Sequence, residues 1–463
     1  EDHPAQEQGE GVPPEDPEIA VVAPDVEILP DRAIQGLLYS AEFSQLGGAL
    51  QTVNIEGPQQ YIPREDELSV FPQAGDPYRS FIVQMDSLPE LNSTTPFHVM
   101  PPPPEGEEGS SVTYQWSNGE LEIEKVFTPD LERSYVTDLT LTMTNRGSAP
   151  RTYTGMQVSV STTAEGSESM SLLNPIANIR EVICYVGEEV FLEPGDGIEE
   201  VSNVGEARWV GVQDRYFLTA LIASEEQLAS GCSFTQGSEN TFAAALDFEP
   251  FTLNPEEQRT WSFSAFTGPK DTGELEAVDL TLSRTVDYGW FSFLAYPMKW
   301  ILKFFFNLTG NWGVAIILLT IVVRTMMFPW THRAFKSMEK MKEIQPKLTA
   351  LKEKYENDKT RMTEETMKLY KEHNVNPFGC LPMLLQMPIF IALYRCIYGS
   401  VELYKAEFAF WIHDLSQSDP YYILPVLMAS TMLGQQMLMP AATDNPQMKM
   451  VMRIMPVMFG GMM

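Results

Sequence analysis

Cysteine is scarce in this sequence, basic side chains are scarce over its first 290 residues, and the spacings that mark catalytic and metal sites are missing. The four cysteines, Cys184, Cys232, Cys380 and Cys396, form no CxxC or Cys/His cluster, which excludes a metal centre legible from spacing. Residues 1–290 hold 50 acidic and 13 basic side chains, so this part repels nucleic acid and anionic lipid alike. No GxxxxGK[ST], HExxH or GxSxG occurs. Ser337-Met338-Glu339-Lys340 fits an SxxK pattern, but no SDN or KTG completes it and it lies on a charged helix. His413-Asp414 has the chemistry of an acid–base pair without a nucleophile or ligand set, and a solvated helix in the 401–420 loop is the plainer reading. No signal peptide is visible, so an export segment is expected upstream of Glu1. An opening without Met and a close inside the apolar run Met455–Met463 read as a fragment. The chain is expected to be no enzyme and to need no cofactor.

What is present divides in two. Of 463 residues, a length for two or three domains, positions 291–463 hold 13 acidic and 18 basic side chains against the strongly acidic remainder. Residues 1–34 are acidic and Pro-rich, too polar to bury a core, and read as a disordered linker. Residues 35–285 read as a large all-β sandwich. Leu139, Leu141 and Met143 alternate with threonines; Trp261, Phe263 and Ala265 alternate likewise, and so do Val278, Leu280 and Leu282. An oxidising compartment would permit a disulfide between Cys184 and Cys232.

From Tyr288 the chain turns apolar. Trp290, Phe291, Phe293, Leu294, Trp300, Ile301, Phe304 and Phe305, interleaved with Lys299 and Lys303, predict an amphipathic helix in the membrane interface over 286–310. Residues 311–463 read as an α-helical membrane core. Its spans are expected at about 312–330, 378–399 and 421–440, each near the ~20 residues that cross the hydrocarbon core, with a fourth, cut off, at 450–463. The charged segment 331–375 repeats Ala334, Met338, Met341, Ile344, Leu348, Leu351 and Tyr355 at three and four residues, a coiled-coil seam. It predicts a helical hairpin whose second helix runs from Thr363 to His373. The hairpin carries 11 Lys/Arg and the 401–420 loop only Lys405, which puts the hairpin in the cytoplasm and the loop and β-domain outside.

Arg324 lies inside the first span, about 9 Å from its cytoplasmic end at 1.5 Å per residue. A central Arg costs about 3 kcal/mol on the translocon scale. The aliphatic residues around it return about 0.3–0.6 kcal/mol each, which barely offsets that. Two readings stay open. Arg324 snorkels to the headgroups, or it lines water. Thr320 shares its helical face, and Gln386, Gln435 and Gln436 also fall in the cytoplasmic halves of their helices. Polar groups in lipid need partners or water, which one hydrated cavity open to the cytoplasm would supply to all of them. Twenty of the 25 methionines fall in 291–463; they fit an adaptable apolar binding surface, or ordinary membrane packing.

The run NPFGCLPMLLQMPIFIALYRCIYGSVELYKAEFAFWIHDLSQSDPYYILP, Asn376 to Pro425, resembles the YidC membrane protein insertase family. So does VDYGW…GNWGVAIILLTIVVRTMMFP before it, and the likeness covers roughly 286–463. The size and position of the β-domain resemble the family's periplasmic sandwich. The resemblance implies a multi-pass protein of the bacterial inner membrane that inserts and helps fold new inner-membrane proteins. It would act through a hydrophilic groove open to cytoplasm and lipid, alone or with the Sec translocon. Arg324 takes the place of the family's groove arginine and Thr320 that of its groove threonine. Pro382, Met387 and Pro388 fall where nascent substrate is contacted. Phe328, at another contact position, replaces a common Tyr and so lacks its hydroxyl. Implied partners are nascent inner-membrane proteins, the Sec translocon, ribosome or targeting factors and membrane lipid, with no nucleic acid. The family's N-terminal anchor span, most of the fourth visible span, the last span and the basic tail are expected to lie outside this sequence. Other classes predict other features. A channel or transporter with an intramembrane Arg site would show inverted repeats, and none is visible. A tethered carbohydrate-binding sandwich would bind sugar through its isolated β-domain.

Overall fold

The computed structural model describes residues 32–58, 61–64, 71–72, 78–101, 111–163, 179–195, 198, 201–237, 240–286, 288–355, 358–373, 381–438, 454 and 458. Residues 1–31 of the expected linker, and nearly all of the expected fourth span, lie outside them. Structure begins earlier than the composition implied. Arg32–Gln35 is already a strand, and its Ile34 is buried.

Alternating apolar residues build an antiparallel sandwich around one core. A 13-stranded sheet supplies most of it, joined by a three-stranded sheet formed by Arg32–Gln35, Tyr39–Ser44 and Ala49–Ile55. Two of the alternating runs pair with each other. Leu141 lies opposite Trp261 and Leu139 opposite Phe263 across the strands Val136–Asn145 and Gln258–Pro269. All four side chains are buried, as cross-strand partners on one inward face should be. Cys184 and Cys232 form a disulfide between two strands that both pair with Val201–Gln213.

The third alternating run, Val278-Leu280-Leu282, is not a strand. Helix α1 spans Thr272–Val278 and a 3-10 turn spans Leu280–Thr285. Aspartates dictate this: Asp271 accepts from Gly273 N at 2.8 Å and Asp279 from Thr281 N at 2.7 Å, and such caps favour a helical turn over a ladder. Leu282 is buried and Leu280 faces solvent, so the run has no single inward face.

One inward position of the sandwich is not apolar. On Leu121–Pro129, Leu121, Ile123 and Phe127 point inward, and so does Lys125. Its Nζ donates to the carbonyls of Gly47 at 2.7 Å, Gly48 at 3.1 Å and Phe81 at 2.8 Å. Burial pushes its pKa down to about 7.

The helices follow. Helix α2, Ser292–Thr309, buries Ala295, Met298, Lys299 and Leu302, one stripe at helical spacing. Its opposite face exposes Phe293, Tyr296, Trp300, Phe304 and Leu308. Gly310, in the left-handed conformation at φ 66°, closes α2, and Asn311 caps α3 by accepting from Val314 N at 3.0 Å. Helix α3 is continuous from Trp312 to Lys354, so the first expected span and the first arm of the hairpin are one rod. At 1.5 Å per residue its 43 residues extend about 64 Å, roughly twice the hydrocarbon core. Helix α4, Lys359–Glu372, starts four residues before the expected Thr363 because Asp358 caps it. Lys347 Nζ lies 2.9 Å from His373 Nε2, tying the two arms together. Helices α5, Leu381–Tyr398, and α6, Ile423–Leu438, complete the described chain. Among the described helices, the stretch Trp312–Arg333, with mean hydropathy 1.8, is long and apolar enough to cross a membrane; Ile423–Gln435 is a shorter apolar one.

Lys125 predicts a pH dependence. Between pH 7 and the ordinary lysine pKa of about 10.4, the unfolded chain binds a proton that the folded one does not. Stability should therefore rise with pH across that window, by at most about 1.4 kcal/mol per unit, with the full burial penalty in force at pH 7 and below. Urea midpoints of a fragment covering residues 32–270 should climb from pH 7 to 9.5 and stay flat in Lys125→Met. An unchanged slope in that variant would assign the effect to another group.

Candidate functional site

The helices are packed unevenly along their length. In the span half of α3 the buried side chains Trp312, Ala315 and Leu319 lie in its first two turns, and in α5 the buried Ala392 and Cys396 lie in its last two. These ends meet each other and α2. Beyond Leu319, α3 buries no described side chain until Ile344, and the described first half of α5 is exposed or half-buried. The pair is closed at one end and open at the other.

The expected site residues lie on the open half. Thr320 and Arg324 are exposed one turn apart on α3, and Thr320 Oγ1 donates to Ile316 O at 2.8 Å. Phe328 is exposed and stacks on His332 at 5.8 Å between ring centroids. On α5, Gln386 and Met387 are exposed and Pro388 is half-buried, while Pro382 is placed by its backbone in the first turn. Gln435 is exposed in the last turn of α6, and Gln436 is placed there by its backbone. Among the described residues no hydrogen bond or ion pair joins Arg324, Thr320, Gln386 and Gln435 to one another. Each is exposed, and none touches another.

The closed end is built by residues that composition did not single out. The 401–420 loop is not a solvated helix: its first residues, Val401–Leu403, form a 3-10 turn with Glu402 and the following Tyr404 buried. Glu402 lies 3.3 Å from Lys299 Nζ and 3.0 Å from Lys303 Nζ. Burial alone would raise its pKa, but the two lysines on α2 outweigh that and hold the carboxyl below its ordinary range. Lys299 Nζ also donates to Thr272 Oγ1 at 3.0 Å, reaching α1. Tyr404 packs on the sandwich, with ring centroids 4.8 Å from Tyr216 and 5.5 Å from Phe217. Arg64 pairs with Asp414 at 2.5 Å and stacks over Tyr404 at 4.5 Å, while Arg215 donates to Tyr398 Oη at the end of α5. Asp414 is therefore an interdomain ion-pair partner and not half of a His413 acid–base dyad. The lysine positions on α2 and the lone acid in Ser-Val-Glu-Leu-Tyr were the available signals. Spacing says nothing about which partner each would find.

A family described as the YidC periplasmic domain matches residues 33–301, and one described as the 60Kd inner membrane protein matches residues 304–463. The chain belongs to the YidC family. A relative from Geobacter sulfurreducens, named membrane protein insertase YidC, is 44% identical over 255 residues, 54% of this chain and 47% of the relative. Another of that name from Geobacter metallireducens is 32% identical over 464 residues, 96% of this chain and 82% of the relative. The chain thus spans about half the length of the more similar YidC relatives. A solved active YidC insertase structure is similar at 19% identity and a TM-score of 0.36, covering 94% of this chain and 87% of that one. The YidC family is an inner-membrane one with a periplasmic domain. The sandwich is that domain, and the 401–420 loop is bound to it through Arg64 and Tyr404.

Glu402 makes the closed end testable. Glu402→Ala leaves two ammonium groups facing each other without their carboxylate, a change expected to cost about 3–5 kcal/mol. For the native protein the depressed carboxyl pKa contributes stability that is present above the unfolded value of about 4.3 and lost as pH falls through the folded one. Thermal unfolding in detergent should show a midpoint that drops below pH 4.3 in the native chain. Glu402→Gln should start lower and show a shallower acid limb, the remainder coming from carboxyls such as Asp414; an identical limb would place the titration elsewhere.

Proposed function

We propose that this chain is a membrane protein insertase without enzymatic activity, working through a hydrated groove on the open half of α3, α5 and α6. The observation that carries the reading is the uneven packing. Buried side chains concentrate where the helices meet the periplasmic loop, while Arg324, Thr320, Gln386 and Gln435 lie exposed beyond it. In a bilayer those polar groups require water. The contacts between loop and sandwich support a multi-pass arrangement. Helix α3 runs inward, α5 outward and α6 inward, with the hairpin of α3 and α4 in the cytoplasm. On this reading residues 35–285 are the periplasmic sandwich, 286–310 an interfacial helix with its aromatic face toward lipid, and 311–463 the insertase core.

Mechanistically, a polar segment of a nascent inner-membrane protein enters the groove from the cytoplasm and is carried halfway across by hydration and by the Arg324 charge. Partition of its apolar helix into lipid drives the rest, so no nucleotide is required. Met387, Pro382, Pro388 and Phe328 supply the apolar contacts, and Gln436 adds to the polar lining at the groove's cytoplasmic mouth. Ribosome or targeting factors meet the hairpin, and the Sec translocon is a partner for larger substrates.

Cysteine placed at 320 or 324 should react with a membrane-impermeant thiol reagent added from the cytoplasmic side, and cysteine at the buried Leu319 should not. Protection at 320 would leave Arg324 as a snorkelling residue. Arg324→Ala should slow insertion of substrates with acidic translocated segments about tenfold or more, and Arg324→Lys should retain most activity, because attraction in a low-dielectric groove is weakly screened. Equal insertion of every substrate by the alanine variant would remove the charge from the mechanism. Deleting 334–372 should impair insertion while the sandwich stays folded; undiminished insertion would free the hairpin of any receiving role.

A further inference from the structure

The periplasmic loop carries an aromatic turn that the groove does not use. Ala409 and Ile412 form a bridge, with Ile412 N donating to Ala409 O at 3.1 Å, and Phe410 and Trp411 make the tip. Phe410 is 87% exposed and its φ is 58°. A bulky ring in the left-handed region, held out into water, is unfavourable on both counts, and Gly or Asn would close the turn more easily.

The turn's position in the fold gives the exposed ring a destination. Asn311, the cap of α3, donates from Nδ2 to Phe408 O at 2.8 Å. Gly313 lies so close to the Phe408 ring that a Cβ there would fall 2.1 Å from it. The turn is thus fastened to the first turn of the long apolar helix. On its other side Trp411 Nε1 donates to Asp419 at 3.1 Å, and Asp419 accepts from Leu424 N at 2.7 Å at the start of α6. Next to Asp419, Tyr421 and Tyr422 are also exposed, Tyr422 again with a positive φ of 56°. The exposed aromatics therefore gather at the level where two apolar helices begin, the level at which aromatic rings favour the membrane–water interface.

We propose that the Phe410–Trp411 turn is a membrane anchor, with the Phe410 ring, beside Tyr421 and Tyr422, lodged in the headgroup–acyl boundary of the periplasmic leaflet. The proposal rests on the reading of α3 as a membrane span. The occupant is lipid because the turn is pinned to the mouth of that span, and because the aromatic face of α2, which holds the same loop through Glu402, is likewise exposed. Gripped by α2 within the protein and by the leaflet outside it, the loop has a fixed depth and keeps the periplasmic end shut.

The test uses the full chain in phosphatidylcholine vesicles, with a nitroxide on Phe410→Cys in a Cys380→Ser, Cys396→Ala background. Collisions with dissolved oxygen should exceed those with a water-soluble nickel chelate several-fold at 410, and the order should reverse at Glu407→Cys, an exposed position of the same loop. Nickel dominance at 410 would put the turn in water and overturn the proposal. Shielding from both reagents would bury the ring in protein, a second copy of the chain included, and would overturn it too. Val322→Cys, an exposed position of α3 on the side away from Thr320 and Arg324, separates the premises. Nickel dominance at 322 as well would mean that the span reading itself fails.

Discussion

A single carboxylate, Glu402, organises the closed end of the helical region. It lies in a short loop turn, yet it is buried against two lysines of α2. A lone ionised carboxylate at that depth would be strongly disfavoured, and so would two lysines facing each other without it. The loop, α2 and the end of α5 are therefore interdependent. Around this point the other ties are arranged: Lys299 to α1 through Thr272, Arg64 of the sandwich to Asp414, and Asn311 at the start of α3 to the loop backbone. The sandwich is thereby docked on the helices instead of merely strung to them.

The same concentration of contacts explains what the other end can do. Among the described residues, side-chain burial along α3 and α5 is concentrated near the loop, and the opposite halves bury little besides Ile344. In water such exposure would be a liability. On the proposed reading, a bilayer would put lipid on one side of that surface and, beside Arg324 and Thr320, water and an incoming chain. The proposed groove, sealed at one end and open at the other, needs a rigid seal, and the buried ion pair with its flanking aromatic contacts would provide it.

The α2 helix shows how far pattern reading goes. Its aromatics and lysines were legible as amphipathic, and the residue spacing separates one face from the other. In the fold Lys299 is buried and Lys303 half-buried, while Phe293, Tyr296, Trp300 and Phe304 face out, the reverse of a helix floating on a soluble surface. The reversal is decided by Glu402 and Asp271, remote in sequence. The strand expected at Val278–Leu282 failed for a local reason. Aspartate caps at 271 and 279 compete with a ladder, and a three-residue alternation is too short to outweigh them.

The sequence by itself determined the division into an acidic β part and an apolar helical part, because strand and helix periods and charge distribution are properties of neighbouring residues. It also singled out Arg324, since the cost of a cation within an apolar span depends on that span alone. It could not tell that Asp414 pairs with Arg64 across the domain boundary, that Lys125 turns its amine inward onto three carbonyls, or that one end of the helices is sealed. Those are long-range matters. A charged side chain's partner and burial are set by which distant segments arrive beside it, and only the tertiary structure brings them there.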